Sequence, residues 1–299
     1  MRTVYLGTSA FAAAILERLA DSPHRPALVV TRPDAPKGRG RNVGPPPVAE
    51  AARALGLELD QPASVNEDAA RERIAAAQPE AVIVCAFGAL IKEPLLSDHE
   101  ILNVHPSLLP RWRGAAPLER AIMAGDAQTG VSIMRLTAGL DAGPVCLAAS
   151  EPIEPGDTHG TLAQRLQGLG ADLLIRALDE RPPFTEQPAD GVTYAEKISA
   201  ADRTLDPAAP AVVQERVVRA LRPHIGARVD LGAEGMLGVH AARALAPGTG
   251  GPAGVLTADG DRLLYGDLQL LEVQPPGRRA MPAPAWLRGR ERRPPSPAR

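Results

Sequence analysis

The segment 81–86, with the sequence AVIVCA, constrains the fold more than any other part of this chain of 299 residues. Six consecutive apolar residues leave no polar face, so an extended segment of this kind must be buried on both sides. Strands that are covered on both faces are typical of parallel sheets with helices on each side. We therefore expect a layered α/β protein in which this segment is a central strand.

Strands and helices alternate along the first part of the chain, as a parallel sheet requires. The β-rich segment Thr3–Leu6 is followed by Ser9, a good helix N-cap residue, and by helix-forming residues at Ala10–Ala20. The next strand is predicted at Pro26–Thr31, and a later one at Ile101–His105. The alternation predicts a doubly wound α/β sheet.

The pattern changes near residue 181, where prolines and glycines interrupt the order of strands and helices. Beyond this point we predict one helix and several short strands, which are typical of a small β-barrel domain. The predicted organisation is a first domain over residues 1–188, a linker over 189–205, a second domain over 206–285 and a basic, disordered tail over 286–299.

Charge and composition exclude several classes of protein. A formal net charge of −2 argues against a generally basic coat for nucleic acid. The two cysteines, Cys85 and Cys146, are far apart, so they support neither a disulfide framework nor a zinc site. No signal peptide is visible, and the longest apolar run, Ala81–Ile91, is shorter than the ~20 residues of a membrane-spanning helix. We expect a cytoplasmic protein with no membrane partner.

A candidate polar site lies at the end of the strand Ile101–His105, because ligands of open α/β sheets bind at the carboxyl ends of strands. Side chains alternate along a strand, so Asn103 and His105 share one face. The loop 139–143, GLDAG, carries Asp141 between glycines that permit a sharp turn, and Asp141 could reach and orient His105. Each residue also has a structural interpretation, as a hydrogen-bond partner or as a turn former.

Two further classes of function stay open on these residues alone. A hydrolase would use Ser107 as nucleophile together with His105 and Asp141, but the chain has no G-x-S-x-G motif. A non-enzymatic RNA-binding protein would depend on the basic loop 32–41 and on the arginine-rich tail. That interpretation leaves the set of Asn103, His105 and Asp141 unexplained.

Three segments resemble the signature of the 10-formyltetrahydrofolate-dependent formyltransferases: NVHPSLLP at 103–110, RGAAP at 113–117 and GLDAG at 139–143. The similarity is closest to the members that act on methionyl-tRNA, because of RW at 111–112, PD at 33–34, GRG at 38–40 and TYAEK at 193–197. The resemblance runs nearly end to end. It implies a Rossmann-like catalytic domain with the formyltransferase fold, followed by an OB-like barrel that binds tRNA.

The resemblance also implies a reaction: transfer of the formyl group of 10-formyltetrahydrofolate to the α-amino group of methionine on initiator methionyl-tRNA, for translation initiation. Asn103 would stabilise the oxyanion, His105 would assist as an electrophile or proton carrier, and Asp141 would orient His105. The residues implied in binding the reduced folate are Ser107, Leu108, Leu109, Pro110, Phe87 and Gly88. Those implied in binding tRNA are Arg39, Lys37 and Arg41.

The reaction requires no metal, because the formyl group is already activated by its attachment to the folate nitrogen. A nicotinamide cofactor is not expected, since the chain lacks the G-x-G-x-x-G motif at its first turn. We expect a monomer in which Arg216, Arg219 and Arg222 of the second domain also contact the tRNA. The alternative is a formyltransferase acting on an amino sugar nucleotide, which would share the catalytic residues but lack the basic loop and the TYAEK segment.

Overall fold

Strands and helices alternate in the computed structural model of this protein, which describes residues 1–37 and 42–291. The first eleven strands are β1 (Thr3–Gly7), β2 (Pro26–Val30), β3 (Ala35–Lys37), β4 (Asn42–Gly44), β5 (Leu59–Asp60), β6 (Ala81–Cys85), β7 (Ile101–His105), β8 (Arg113–Gly114), β9 (Gln128–Arg135), β10 (Val145–Pro152) and β11 (Tyr194–Ala195). The helices among them are α1 (Ala10–Ala20), α2 (Pro47–Ala54), α3 (Asp68–Ala76), α4 (Leu95–Asp98), α5 (Pro117–Ala124) and α6 (His159–Glu180). No helix in the described part of the chain combines the length and the apolar character needed to cross a membrane.

A seven-stranded sheet has the strand order β10-β9-β7-β6-β1-β2-β5. Strands β5, β2, β1, β6 and β7 are parallel, whereas β9 pairs antiparallel with both β7 and β10. The chain leaves β1 for β2 on one side and later adds β6 on the other, which is the doubly wound arrangement. The predicted α/β sheet is therefore confirmed, and the antiparallel edge strand β10 is an addition that the sequence did not reveal.

The turn between β1 and α1 depends on two small residues, Gly7 and Ser9. The Ser9 hydroxyl accepts a hydrogen bond from the Ala12 N–H at 3.2 Å, so Ser9 is the predicted N-cap. A Cβ atom at Gly7 would lie 2.9 Å from the Ala12 Cβ and 3.1 Å from the carbonyl oxygen of Cys85. Only glycine permits this close approach of helix and sheet.

Strands β1, β6 and β7 are buried along their whole length, as the apolar run at 81–86 predicts. Their side chains on one side of the sheet belong to a core that also includes side chains of α3 and of the segments around Phe87 and Leu95. Burial of this much apolar surface is the main source of stability for a sheet covered on both faces. Members of this core are Val4, Leu6, Leu28, Val30, Ile74, Val82, Val84, Phe87, Ile91, Leu95 and Ile101.

The chain divides into two compact units that are not continuous in sequence. The first consists of Met1–Pro117, Gln128–Pro152 and Ala163–Glu196, and the second of Leu118–Ala127, Ile153–Leu162 and Lys197–Arg299. The sequence suggests a single boundary between residues 188 and 206. The division in the structure differs because two short segments, which contain buried residues such as Ile122 and Leu162, group with the later part of the chain.

The second unit is built on an antiparallel sheet, in agreement with the small β domain that the sequence predicts. Its sheet has the order β12-β13-β16-β15-β14, and β17 pairs with β16. A core of buried side chains that includes Val229, Leu237 and Leu268 lies against this sheet. The elements are α7 (Ala211–Ala220), β12 (Ala227–Asp230), β13 (Met236–Ala244), β14 (Leu256–Asp259), β15 (Arg262–Tyr265), β16 (Leu268–Gln274), β17 (Met281–Pro282) and α8 (Ala283–Glu291).

The prediction of a disordered tail from residue 286 is wrong for its first part. Residues up to Glu291 belong to α8, in which Ala283 is buried in the core of the second unit and Trp286 and Leu287 pack against that core. The arginines of this segment suggested a solvated tail, but the apolar side chains between them provide a face that the core can cover. Residues 292–299 lie outside the described residues.

We expect Ile83→Ala to lower the free energy of unfolding by about 2–5 kcal/mol, because it leaves a cavity in the middle of β6. Ile83 is completely buried, whereas Leu90, five residues after the end of the same strand, is 70% exposed. Leu90→Ala is therefore the matched control and should change stability by less than about 0.5 kcal/mol. Urea unfolding followed by circular dichroism measures both, and equal midpoints for the two variants would contradict the assignment of β6 as a central strand.

Candidate active site

Two polar side chains, those of Asn103 and His105, are buried at the carboxyl end of β7. They are 8% and 4% exposed, and both lie within a strand that pairs with β6 on one side and β9 on the other. Because side chains alternate along β7, the intervening Val104 faces the opposite side, where it lies next to Gly170 of α6. Polar groups at such a position need hydrogen-bond partners inside the protein.

The hydrogen bond of His105 determines which of its ring nitrogens carries a proton. His105 Nε2 lies 2.9 Å from the carbonyl oxygen of Trp112, and a carbonyl oxygen can only accept. Nε2 therefore donates, and in the neutral imidazole Nδ1 is the acceptor. Nδ1 faces Asp141 Oδ2 at a distance of 3.6 Å. An imidazole in this arrangement can take up a proton at Nδ1 and form an ion pair with the carboxylate.

Asp141 connects the two residues of β7 to the loop that follows β9. Its Oδ2 accepts a hydrogen bond from the Gly114 N–H at 2.8 Å, and its Oδ1 lies 3.4 Å from Asn103 Nδ2. The backbone of Asp141 has a φ of 44°, in the left-handed region that aspartate tolerates better than most residues. A Cβ atom at Gly143 would collide with the carbonyl oxygen of Arg135, so the loop also needs glycine there. The structure thus brings Asn103, His105 and Asp141 together.

Gln187 fixes the Asp141 loop, a role that no sequence pattern indicated. Its Nε2 donates to the carbonyl oxygens of Asp141 at 2.8 Å and Gly143 at 2.7 Å. Its Oε1 accepts from two nitrogens of Arg113, Nε at 3.0 Å and Nη2 at 2.7 Å. Because 46 residues separate Gln187 from Asp141 in the chain, no local pattern could have revealed the contact.

The segment 107–110 follows the carboxyl end of β7, directly after Asn103 and His105 in the sequence. Ser107 is fully buried, and its hydroxyl donates to the carbonyl oxygen of Arg111 at 2.6 Å. The Leu109 N–H donates to Ser132 Oγ at 3.2 Å, and Ser132 Oγ donates in turn to the carbonyl oxygen of Ser107 at 2.8 Å. The Ser107 hydroxyl is thus used within its own turn, which argues against a hydrolase that would need it as nucleophile. Leu108, Leu109 and Pro110 are half-buried.

Phe87 and Gly88 follow β6, the parallel neighbour of β7, so they leave the same edge of the sheet. The Phe87 side chain is 4% exposed and belongs to the core, which leaves its backbone as the part that can face a ligand. That backbone is fixed by the Thr8 hydroxyl, which donates to the Phe87 carbonyl oxygen at 2.7 Å. Gly88 has a φ of 72° and is exposed. Both residues are predicted to contact a ligand. Phe87 can do so only through its backbone, because its side chain is buried, whereas the backbone of Gly88 is exposed.

Two short strands precede and follow, in the sequence, the basic segment that is predicted to bind tRNA. Strands β3 and β4 pair antiparallel and flank the segment 38–41. Lys37 is the last residue of β3, although its side chain is not described. Arg39 and Arg41 lie outside the described residues, so their predicted role stays a prediction.

The arginines predicted to contact tRNA from α7 and the residues after it have partners within their own unit. Arg219 donates to the carbonyl oxygen of Asp157 at 2.7 Å, and Arg222 forms an ion pair with Glu272 at 3.4 Å. The guanidinium of Arg216 lies so close to Gly125 that a Cβ atom there would collide with it. Arg219 and Arg222 thus have polar partners within the second unit, and Arg216 packs closely against Gly125.

Burial makes Cys85 chemically inert. This residue is fully buried in β6, and desolvation raises the pKa of its thiol to about 12, against the opposing effect of a hydrogen bond with Tyr5. The thiol is therefore protonated at neutral pH and is not available as a nucleophile. Burial likewise raises the pKa of Cys146.

Comparison with known proteins places this arrangement in a family. Residues 1–178 match the family model described as formyl transferase. The methionyl-tRNA formyltransferase of Halorhodospira halophila is 43% identical over 300 residues, which cover 97% of this chain and 96% of that protein. The enzyme of the same name from Thermus thermophilus is 43% identical over 305 residues, with the same coverage of both chains.

A solved structure resembles the fold of nearly the whole chain. The crystal structure of HypX from Aquifex aeolicus in complex with tetrahydrofolic acid matches 96% of this chain with a TM-score of 0.64 at 17% identity. The match covers 47% of that protein, so this chain spans about half of its length. At this level of identity the similarity concerns the fold alone.

We expect Gln187→Glu to lower the turnover of formyl transfer, the reaction that the sequence resemblance implies, by up to about 100-fold. The glutamate carboxylate cannot donate to the carbonyl oxygens of Asp141 and Gly143, so the loop loses the two hydrogen bonds that hold it. The matched control is Glu186→Gln, at the neighbouring exposed position. Single-turnover rates with both substrates saturating measure the effect. If Gln187→Glu and the control turned over equally fast, the loop would not depend on Gln187.

Proposed function

This chain belongs to the methionyl-tRNA formyltransferase family, and we propose that it transfers the formyl group of 10-formyltetrahydrofolate to the α-amino group of methionine on initiator methionyl-tRNA. The observation that carries the proposal is the meeting of Asn103, His105 and Asp141 at the end of β7, in a chain that matches relatives of that name along nearly its whole length. The product is formylmethionyl-tRNA, the substrate of translation initiation.

The reaction forms one bond from nitrogen to the formyl carbon and breaks another. The unprotonated amine attacks the formyl carbon, whose carbonyl oxygen becomes an oxyanion in the tetrahedral intermediate. The bond from this carbon to N10 of the folate then breaks, and N10 takes up a proton. The side-chain amide of Asn103 has two N–H donors, of which one is directed to Asp141 and the other remains for the oxyanion.

His105 is suited to move the proton from the amine to the folate nitrogen. Its Nε2–H is held by the carbonyl oxygen of Trp112, which leaves the lone pair of Nδ1 to accept the proton that the attacking amine loses. The resulting imidazolium is stabilised by the Asp141 carboxylate, whose Oδ2 lies 3.6 Å from Nδ1. Return of this proton to N10 of the departing folate regenerates the neutral imidazole and completes the balance of charge.

The folate is proposed to bind along the segment 107–110 and the Phe87–Gly88 backbone, at the carboxyl ends of β7 and β6. The half-buried side chains of Leu108, Leu109 and Pro110 offer an apolar surface to the flat ring of the folate, and the buried Ser107 fixes the course of this segment. Gly88, exposed and without a side chain, lets a ligand approach the backbone closely. This placement puts the formyl group near Asn103.

The tRNA is proposed to contact the basic segment 37–41, which contains Lys37, Arg39 and Arg41. Guanidinium and ammonium groups bind the phosphates of the acceptor end, and such contacts position the substrate without reading its sequence. The second unit is proposed to extend this surface, and we infer that the enzyme acts as a monomer. Because tRNA charging and initiation take place in the cytoplasm, that is the proposed location of the enzyme.

A formyltransferase acting on an amino sugar nucleotide is the alternative, and it is not favoured, because the relatives that match nearly the whole chain are named for methionyl-tRNA. One assay decides between the two. The protein is incubated with 10-formyltetrahydrofolate and, in separate reactions, with initiator methionyl-tRNA or with an amino sugar nucleotide. We expect formylmethionyl-tRNA as the product, and formylation of the sugar without formylation of the tRNA would reject the proposal.

We expect Asn103→Ala to lower kcat by about 10²–10³-fold, because it removes one donor to the oxyanion. His105→Gln should also reduce kcat severely, since glutamine cannot carry the proton. His99→Gln, at a histidine that follows α4, is the matched control. The measurement is steady-state formylation of methionyl-tRNA, with circular dichroism to verify folding. If a folded Asn103→Ala or His105→Gln variant turned over almost as fast as the unmodified enzyme, the assignment of that residue as catalytic would be wrong.

We expect Arg39→Ala to reduce kcat/KM for methionyl-tRNA and to leave folate binding unchanged. Loss of one phosphate contact should also lower the slope of log(kcat/KM) against log[salt] by about 1. The control is Arg18→Ala on α1, where the arginine forms an ion pair with Asp172. Kinetics at two salt concentrations and a folate titration test the prediction. An equal loss of folate affinity would place Arg39 at the folate site instead.

A further inference from the structure

Two histidines and a glutamate from distant parts of the chain meet in the second unit. Glu119 lies in the first turn of α5, His159 is the first residue of α6, and His224 follows α7. His224 Nε2 lies 2.9 Å from Glu119 Oε1, and His159 Nε2 lies 3.7 Å from the same oxygen. Taken together, one side-chain nitrogen or oxygen from each residue lies within 4.8 Å of the others.

The backbone around these residues brings the two imidazoles face to face. The Gly160 N–H donates to the carbonyl oxygen of Arg222 at 3.1 Å, which joins the start of α6 to the segment after α7. A Cβ atom at Gly160 would lie 3.0 Å from Pro223, so the two segments are in close contact. As a result the rings of His159 and His224 have their centroids 3.8 Å apart and are tilted by 32°. Stacked imidazoles present their Nε2 atoms toward the same carboxylate.

The side-chain types of the cluster suit a cation. Two imidazole nitrogens and one carboxylate oxygen are ligands that zinc-type ions bind in proteins, and the side chains of Glu119 and His159 are only 12% and 23% exposed.

We propose that Glu119, His159 and His224 form a binding site for a zinc-type divalent ion, with water at the fourth position. In a tetrahedral site with bonds of about 2.0–2.2 Å, the ligand atoms lie about 3.3 Å from one another. The pair His224–Glu119 is somewhat closer than this and the pair His159–Glu119 somewhat wider, so both pairs lie near the spacing that such a site requires. Two imidazoles and one carboxylate favour Zn²⁺ or Co²⁺ over Mg²⁺.

The proposed ion has a structural consequence that is independent of formyl transfer. Glu119 and His224 are 105 residues apart, and each of the three ligands comes from a different segment of the second unit. A metal ion that joins these segments stabilises the folded unit, because the unfolded chain does not present the three ligands together. None of the three residues belongs to the set of Asn103, His105 and Asp141.

The experiment uses the untagged full-length protein, since a histidine tag would bind the same ions. After treatment with a chelator and removal of the chelator, Zn²⁺ is measured by equilibrium dialysis and Co²⁺ by its visible ligand-field absorption. We expect one equivalent of Zn²⁺ per chain, the strong absorption of four-coordinate Co²⁺, and no comparable binding of Mg²⁺. His224→Gln, His159→Gln and Glu119→Gln should each lower Zn²⁺ affinity by at least about tenfold.

The matched control is His240→Gln, which removes a histidine of the same unit whose Nε2 lies 3.0 Å from Gln274 Oε1. Thermal unfolding supplies a second measurement that does not depend on enzyme activity. Zn²⁺ should raise the Tm of the unmodified protein and of His240→Gln, but not that of His224→Gln. If the ligand variants bound Zn²⁺ as tightly as the control, or if Co²⁺ kept the weak absorption of its six-coordinate aqua ion, the cluster would be a hydrogen-bonded ion pair and the proposal would be overturned.

Discussion

Two buried polar side chains at the end of β7 need hydrogen-bond partners, and this need determines the structure around them. Asn103 and His105 are removed from solvent by the sheet, so each must find its hydrogen-bond partners within the protein. Their partners are Asp141 and the Trp112 carbonyl oxygen, which lie on two different loops. Further contacts hold both loops: Gln187 donates to the backbone of the Asp141 loop, and the Trp112 N–H donates to Thr193 Oγ1 at 2.9 Å.

The hydrogen bonds of these buried side chains also orient the groups that the proposed reaction uses. The Trp112 carbonyl oxygen selects the protonated nitrogen of His105, and that selection leaves the other nitrogen facing a carboxylate. A site whose donors and acceptors are already oriented needs little reorganisation when charge develops on the substrate. The left-handed backbone of Asp141 and the crowded position of Gly143 are features of the same loop.

The second unit shows a comparable dependence on contacts between distant segments. Residues 118–127 and 153–162 group with the later part of the chain, so the unit assembles from three stretches of sequence. Ion pairs and hydrogen bonds join these stretches, among them Arg219 with Asp157 and His224 with Glu119. Arg219 and Arg222, which we predicted to contact tRNA, therefore have structural partners within the second unit.

The sequence by itself determined the features that depend on local pattern. The apolar run at 81–86 predicted a buried central strand, Ser9 predicted a helix N-cap, and alternation along β7 put Asn103 and His105 on one face. These predictions succeed because burial, capping and side-chain alternation are decided within a few residues.

Only the tertiary structure decided which distant residues meet. It brought Gln187 to the Asp141 loop, joined Glu119, His159 and His224, divided the chain into discontinuous units, and extended α8 into the predicted tail. The physical reason is common to all four. Each depends on contacts between side chains or backbones that lie far apart in the chain, and such contacts are selected by the packing of the whole unit and not by local propensity.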